Sequence, residues 1–327
     1  MSRQVEQIVK PRGASELLGR YVVSLSLVGI VVILGVLFSL LNPAYLSFNN
    51  LMNIVRQTCI IAVVAVGVTA VVISGGLDLS VGSNIALGGA IGVIVMGFTK
   101  SNLAGLAVTL LTCTAIGALN GVMVGLFNIN PMMTTLATMS LARGLTLGTL
   151  DAVSINVQDP VFNFLGAGQI GPVPVVLFFL LLVYVFFHFL LARNSFGTKV
   201  YAIGGNKLAA RASGVKTDKI TMMTYLITGL MVGFGSIITV GRLQSAQPWA
   251  GLGLEFDVMT AVVIGGTSLK GGEGNILGTF LGATVVGVLA NGLAFMDLSP
   301  FYQYIFRGFL ILVVVYIDNL IHKSRER

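Results

Sequence analysis

The chain has 327 residues, 55% of them hydrophobic and only 9% charged, with a formal net charge of +7. Soluble domains carry about 25% charged residues, and so apolar a chain would expose patches that soluble monomers do not tolerate, so the composition excludes a soluble globular domain and points to an integral membrane protein. Two cysteines (Cys59, Cys113) and two histidines (His188, His322) exclude a disulfide scaffold, a four-cysteine metal site and a multi-ligand haem bundle.

A helix that crosses a bilayer needs about 20 mainly apolar residues. The uncharged runs, divided at Asn42-Pro43 and between Asn128 and Pro131, predict an all-α, polytopic membrane helix bundle of about ten transmembrane spans. They fall near 21–41, 53–73, 80–98, 103–126, 131–150, 173–192, 220–240, 257–269, 275–295 and 301–321. The runs are continuous and do not alternate, which argues against a transmembrane barrel. The first is too long for a signal-peptide core and no small-residue cleavage site follows it, so it reads as an uncleaved span.

Lys and Arg give the orientation. Residues 1–20 carry four, the loop 193–219 carries six (Arg193, Lys199, Lys207, Arg211, Lys216, Lys219) and the tail carries Lys323, Arg325 and Arg327, together 13 of the 19. The loops between hold acids: Asp151, Asp159, Glu255, Asp257 and Asp297. The positive-inside rule then predicts cytoplasmic termini and a cytoplasmic 193–219 loop, with Lys100 as a single exception. The expected organisation is a cytoplasmic N-terminal segment (1–20), a membrane domain (21–321) and a cytoplasmic tail (322–327). The positive excess reports topology and partner docking, not a nucleic-acid surface.

Glycine is abundant, and runs such as Gly88 to Gly92 and Gly278 to Gly282 suit close helix packing where lipid provides no hydrophobic drive for association. Residues 69–73 (Thr-Ala-Val-Val-Ile) recur at 260–264, and at the same shift of 191 Gly75 matches Gly266, Asn84 matches Asn275 and Ile85 matches Ile276. Both copies run from an apolar segment into a glycine-rich break, which predicts interrupted helices near Gly75-Gly76 and Gly265-Gly266. Transporters line pathways with such breaks.

No phosphate loop, zinc-protease, nucleophile-elbow or C-x-x-C motif occurs, so the expectation is a non-catalytic chain with no cofactor and no metal. Asp78 has two readings: it caps the helix that starts near Ser80, or it lines a polar solute path with Ser83 and Asn84. Gly266 and Thr267, at the second break, join them as candidate pathway residues. Arg143 and Arg307 are expected to face protein because lipid-facing arginine is costly, Arg56 to snorkel, and His188 to pack among phenylalanines. The absence of a dense chain of intramembrane titratable groups argues against a proton-coupled carrier.

Within the 193–219 loop, Asn206 supplies an N-cap and Gly214 a stop, which predicts a short helix between them. Lys207 and Arg211 share one face, and Leu208, Ala209 and Ala212 cluster on another. Small side chains favour the groove of a soluble partner over lipid.

At these residues the chain resembles the permease subunits of ribose-type monosaccharide ABC importers. Residues 75–83 (Gly-Gly-Leu-Asp-Leu-Ser-Val-Gly-Ser) are similar to the family's first signature. Residues 261–269 with 271–274 and 278–279 are similar to the second, and 202–206 with 209–215 to its cytoplasmic coupling segment. The resemblance implies a binding-protein-dependent importer in the bacterial inner membrane. Its partners would be a cytoplasmic ATPase, an external sugar-binding protein and a second permease copy or paralogue. It implies that Asn206, Leu208, Ala209, Ala210, Arg211 and Gly214 form the ATPase-coupling helix, with Leu208 where the wider importer pattern has Glu. Glu255 and Asp257 are candidate docking points for the binding protein. The cargo would be a ribose-like pentose or a related sugar. An autoinducer-type sugar is the alternative, and a stand-alone secondary carrier or channel is the competing class.

Overall fold

Caps and turn residues set where the chain enters and leaves the helical state. The computed structural model describes residues 14–299, 301–309, 311, 312 and 316. The expectations for residues 1–13, the end of the tenth span and the 322–327 tail lie outside the described residues. Helix α1 (Ala14–Leu41) ends at Asn42, whose side chain accepts the Ala44 N–H at 3.0 Å, and Pro43 opens a 3-10 turn, Pro43–Leu46. Ser47 caps α2 (Phe48–Ile73), and Ser101 caps α4 (Asn102–Gly121), which follows α3 (Val81–Thr99). A π turn (Val122–Leu126) extends α4, and Asn130 with Pro131 starts α5 (Pro131–Leu150). Then follow α6 (Pro160–Ala167), α7 (Val175–Ala192), α8 (Ser195–Gly205), α9 (Lys207–Ala212), α10 (Thr217–Leu243), α11 (Leu254–Ile264) and α12 (Ile276–Phe295). Residues 301–309 are again helical.

Four two-residue strands are the only extended pairs among the described residues. β1 (Ile155–Asn156) pairs antiparallel with β4 (Ser245–Ala246), and β2 (Gln169–Ile170) pairs antiparallel with β3 (Val173–Pro174). The helical class is as expected. Among the described residues, seven helices are long and apolar enough to cross a membrane: α1, α2, α3, α4 with its π turn, α7, α10 and α12. The other three of the roughly ten expected spans fall short of that measure or run past the described residues. Arg143 and five threonines dilute α5, α11 has only 11 residues, and the run from 301 continues beyond the described residues.

Helix α2 is the axis of the bundle. It is buried continuously from Thr58 to Ile73, and α7, α10, α11 and α12 pack around it. Its run of Val, Ile and Ala has no polar face and therefore suits a helix enclosed on all sides. Where α4 crosses α10, the backbones nearly touch. A Cβ on Gly117 would lie 2.5 Å from the Tyr225 carbonyl oxygen, and one on Gly229 would lie 2.7 Å from that of Cys113. This is the close approach that small residues permit in a membrane bundle. Helices α1 and α7 present Leu25, Ile33, Leu40, Leu182 and Phe186 outward, the lipid-compatible surface of the molecule. His188 is exposed on α7, edge-to-face with Phe189.

Several buried hydroxyls are satisfied locally. Thr69, Thr109, Thr146, Thr228 and Thr239 each donate to the carbonyl four residues earlier, the usual way a membrane helix accommodates threonine.

Candidate functional site

Both predicted breaks are present, and their backbones match. After α2 the Gly75 N–H donates to Val72 O and the Gly76 N–H to Val71 O, each at 2.9 Å. After α11 the Gly266 N–H donates to Val263 O at 2.9 Å and the Thr267 N–H to Val262 O at 3.2 Å. These paired bonds are Schellman caps, and every partner is displaced by the same 191 residues as the sequence repeat. Such a cap needs a left-handed residue, and Gly75 and Gly266 supply it at φ +83° and +86°. The repeat diverges afterwards. Asn275 caps α12 by accepting the Gly278 N–H at 2.6 Å, whereas Asn84 lies inside α3 and donates to Cys113 O at 3.1 Å.

The two breaks meet at the end of the bundle that carries α8 and α9. The Gly272 N–H donates to the Ile73 carbonyl at 2.8 Å, and the Thr69 and Thr279 hydroxyls bond each other at 2.8 Å. The C-terminus of α8 closes on this joint. A Cβ on Gly204 would stand 1.8 Å from Ile73 O and 2.4 Å from Gly272 N. The Tyr201 hydroxyl donates to Gly274 O at 2.8 Å. Three backbone segments (73–75, 204–205 and 271–274) therefore touch with little side chain between them. Gly204, Gly205 and Tyr201 were not singled out from the sequence, although Ala202 to Asn206 was within the matched coupling segment.

The next residue, Asn206, caps α9 by accepting the Ala209 N–H at 2.9 Å. Gly214, at φ +82°, closes it with a third Schellman pair, donating to Arg211 O while Val215 donates to Ala210 O, both at 3.0 Å. Leu208 is 80% exposed, Ala209 and Ala212 are exposed beside it, and Ala210 turns inward. The two cations are held within the chain: the Lys207 ammonium donates to Asn128 Oδ1 at 2.8 Å, and Arg211 pairs with Asp218. The outward face of α9 is thus a small apolar knob, Leu208, on a smooth alanine surface.

Asp78 is 2% exposed, and its Oδ1 accepts both the Ser80 N–H (2.9 Å) and the Ser80 hydroxyl (2.6 Å). This organises the turn before α3 without bonding the helix's own first-turn N–H groups. The chain of bonds continues as Asn120 donates to Ser80 Oγ (2.9 Å) and Thr138 donates to Asn120 Oδ1 (2.8 Å), tying α4 and α5 to the first break. Ser83 and Asn84 are buried on the same stretch, and Asn84 Oδ1 has no partner among the described residues. Gly266 is exposed, while Thr267 is 1% exposed with its hydroxyl unpartnered among the described residues. The five candidate pathway residues form two groups, one against α4 and one at the joint, with no described hydrogen bond between them.

At the opposite end, the Arg143 guanidinium donates to Pro248 O (2.5 Å) and Ala250 O (3.1 Å), and Glu255 acts on it electrostatically. Arg307 pairs with Asp257 at 3.1 Å. Both arginines face protein, as expected. Glu255 and Asp257 are each only 6% exposed. In this arrangement both are internal counter-charges to the arginines. Among the described residues no group of His, Cys, Asp and Glu could hold a metal ion.

Comparison with known proteins follows these features. Residues 50–315 match the family model described as "Branched-chain amino acid transport system / permease component". The ribose import permease protein of Escherichia coli (strain K12) is 39% identical over 298 residues, 90% of this chain and 92% of that one. The D-allose transport system permease protein of the same strain is 34% identical over 298 residues, 90% of this chain and 91% of that one. A solved structure of a metal-chelate type ABC transporter in an inward-facing conformation covers 90% of this chain and 98% of its own at a TM-score of 0.53 and 17% identity, a likeness of fold. The chain belongs to this family of transport-system permease components, within the group that includes the sugar ABC permeases.

Proposed function

We propose that the chain is the non-catalytic membrane subunit of an ATP-driven importer that moves a ribose-like monosaccharide into the cytoplasm. The observation that carries the reading is the continuity between an exposed apolar helix and the backbone of two interrupted membrane helices. Leu208 and its alanines seat in a groove of a separate ATPase, and closure of that ATPase pushes α9. Asn206 joins α9 directly to Gly204 and Gly205, so the push reaches Ile73 and Gly272 through main-chain contacts. Close-packed backbone yields little, which makes it a stiff lever.

The basic loops support an orientation in the bacterial inner membrane with α9 and both termini on the cytoplasmic side. The solute crosses beside Asp78, Ser83, Asn84, Gly266 and Thr267, and the pathway is completed by a second copy or a paralogue. Selection among sugars falls mainly to an external binding protein. The ribose and allose relatives support the monosaccharide class, whereas the matching family description names amino-acid transport; the 75–83 and 261–279 signatures favour the sugar.

Proteoliposomes test this reading. Uptake of labelled D-ribose, D-allose or L-arabinose is expected only when the chain is reconstituted with its ATPase, ATP and the binding protein. Sugar flux through liposomes that hold this chain alone would overturn the proposal in favour of a self-sufficient carrier or channel.

A further inference from the structure

At the end of the bundle away from α9, a cavity of about 200 Å³ opens between α2, α10, the start of α11 and the helical run from residue 301. Gln57, Thr239, Arg242, Asp257 and Arg307 supply its polar wall, and Ile60 and Ile61 of α2 face them. A water molecule occupies about 30 Å³ of liquid, so the space takes roughly seven waters, the bulk of one small sugar ring.

Its charges are arranged unevenly. Asp257 uses Oδ2 for Arg307 at 3.1 Å. Arg242, in the last turn of α10, makes no ion pair and no side-chain hydrogen bond among the described residues, and the charge that acts on it is another cation, Arg56. A half-buried guanidinium that faces a cavity and bonds no acceptor among the described residues is free to donate to a bound solute. The lining also has the character of a small-molecule site: an apolar wall plus a few convergent polar groups. Arg242 offers only donors, the Asp257 carboxylate only acceptors, and Gln57 both. A neutral monosaccharide matches that set, since each hydroxyl both accepts and donates and its C–H face packs on aliphatic side chains.

We propose that this cavity is an internal binding station for a neutral monosaccharide, with Arg242 donating to and Asp257 accepting from its hydroxyls. The inference rests on the importer reading above and adds a solute site within one copy of the chain, separate from the residues at the two breaks.

Thiol protection tests it. Cys59 and Cys113 are both buried, and Leu243, on the cavity wall, is 42% exposed. In the full chain carrying Leu243→Cys, purified with its ATPase, the rate of modification by a methanethiosulfonate reagent is measured against rising D-ribose, D-allose and L-arabinose. At least one sugar is expected to slow labelling saturably. Arg242→Gln in the same background is expected to raise the half-protecting concentration about tenfold, the loss of one hydrogen bond to a charged group. Because Arg242 has no described partner, that variant leaves no buried ion pair broken. Protection by none of the sugars, or unchanged protection in Arg242→Gln, overturns the inference. Cellular uptake of the same sugars by the unmodified chain is scored separately: uptake without protection overturns only the station, and absence of uptake of all three overturns the importer reading with it.

Discussion

Replacing Gly204 by alanine is the sharpest probe of the joint. The added methyl would lie 1.8 Å from Ile73 O and 2.4 Å from Gly272 N, the two atoms that share the 2.8 Å hydrogen bond between the breaks. Ordinary contact begins at 3.4 Å, so α8 and the joint must separate by about 1.6 Å from the Ile73 side alone. No hydrogen bond between Gly272 and Ile73 survives a methyl placed between them. Losing a buried bond costs about 1–3 kcal/mol, and overpacking adds about 1–3 kcal/mol. Alanine returns up to about 1 kcal/mol through helix propensity, which leaves a net loss of about 1–6 kcal/mol. Gly205→Ala is the matched control: the adjacent residue has nothing within 4 Å of the corresponding Cβ position. In proteoliposomes, Gly204→Ala is expected to lower sugar moved per ATP hydrolysed about tenfold or more, as a penalty above 1.4 kcal/mol implies, while the ATPase still copurifies. Gly205→Ala is expected to couple like the parent. Equal damage from both, or normal coupling by Gly204→Ala with a lowered melting temperature, would refute the lever.

Three further expectations follow from the same geometry. Tyr201→Phe removes the 2.8 Å bond to Gly274 O and should cost about 1 kcal/mol, read as a modest fall in detergent melting temperature together with reduced uptake per ATP. Leu208→Asp changes a side chain that is 80% exposed, so melting should shift by no more than about 0.5 kcal/mol while copurification of the ATPase is lost; retention of the ATPase would place its contact elsewhere. Asp257→Asn should cost about 1–3 kcal/mol by leaving the half-buried Arg307 without its charged partner, and Asp257→Asn combined with Arg307→Gln should recover part of that loss, measured as a double-mutant cycle on thermal unfolding.

The parts legible in the sequence are those set by local chemistry. Asn206 and Gly214 bracket a helix because an amide oxygen caps an N-terminus and glycine tolerates the left-handed turn, and both act within a few residues of themselves. The 191-residue repeat foretold two breaks, and the matching φ angles of Gly75 and Gly266 bear that out. What was not legible depends on tertiary approach. Gly204 and Gly205 read like any small-residue pair until α8 is placed against Ile73. Glu255 and Asp257 look like loop acids until Arg143, more than a hundred residues away, and Arg307 are folded onto them. Hydropathy also understates α5, because Arg143 finds its acceptors in the Pro248 and Ala250 carbonyls, contacts that only the folded chain provides.

The placement of the breaks also bears on how a membrane protein can open. Non-helical backbone inside a bilayer must find partners for its N–H and C=O groups. Here the Schellman caps satisfy part of each break internally. Much of the remainder is satisfied across segments: Ile73 O, at the end of α2, receives its bond from Gly272 in the other repeat, and Gly274 O receives one from Tyr201 of α8. Separating the repeats at this joint without replacement would orphan those groups, at about 1–3 kcal/mol for each. Water that enters as they part removes most of that penalty. Opening of the joint and its wetting therefore accompany each other, and on the proposed importer reading a force applied through α9 would favour the hydrated arrangement over any dry intermediate. A contact built from backbone and glycine suits that reading: a larger side chain at Gly204 would hold the segments apart and wet the joint in the resting arrangement.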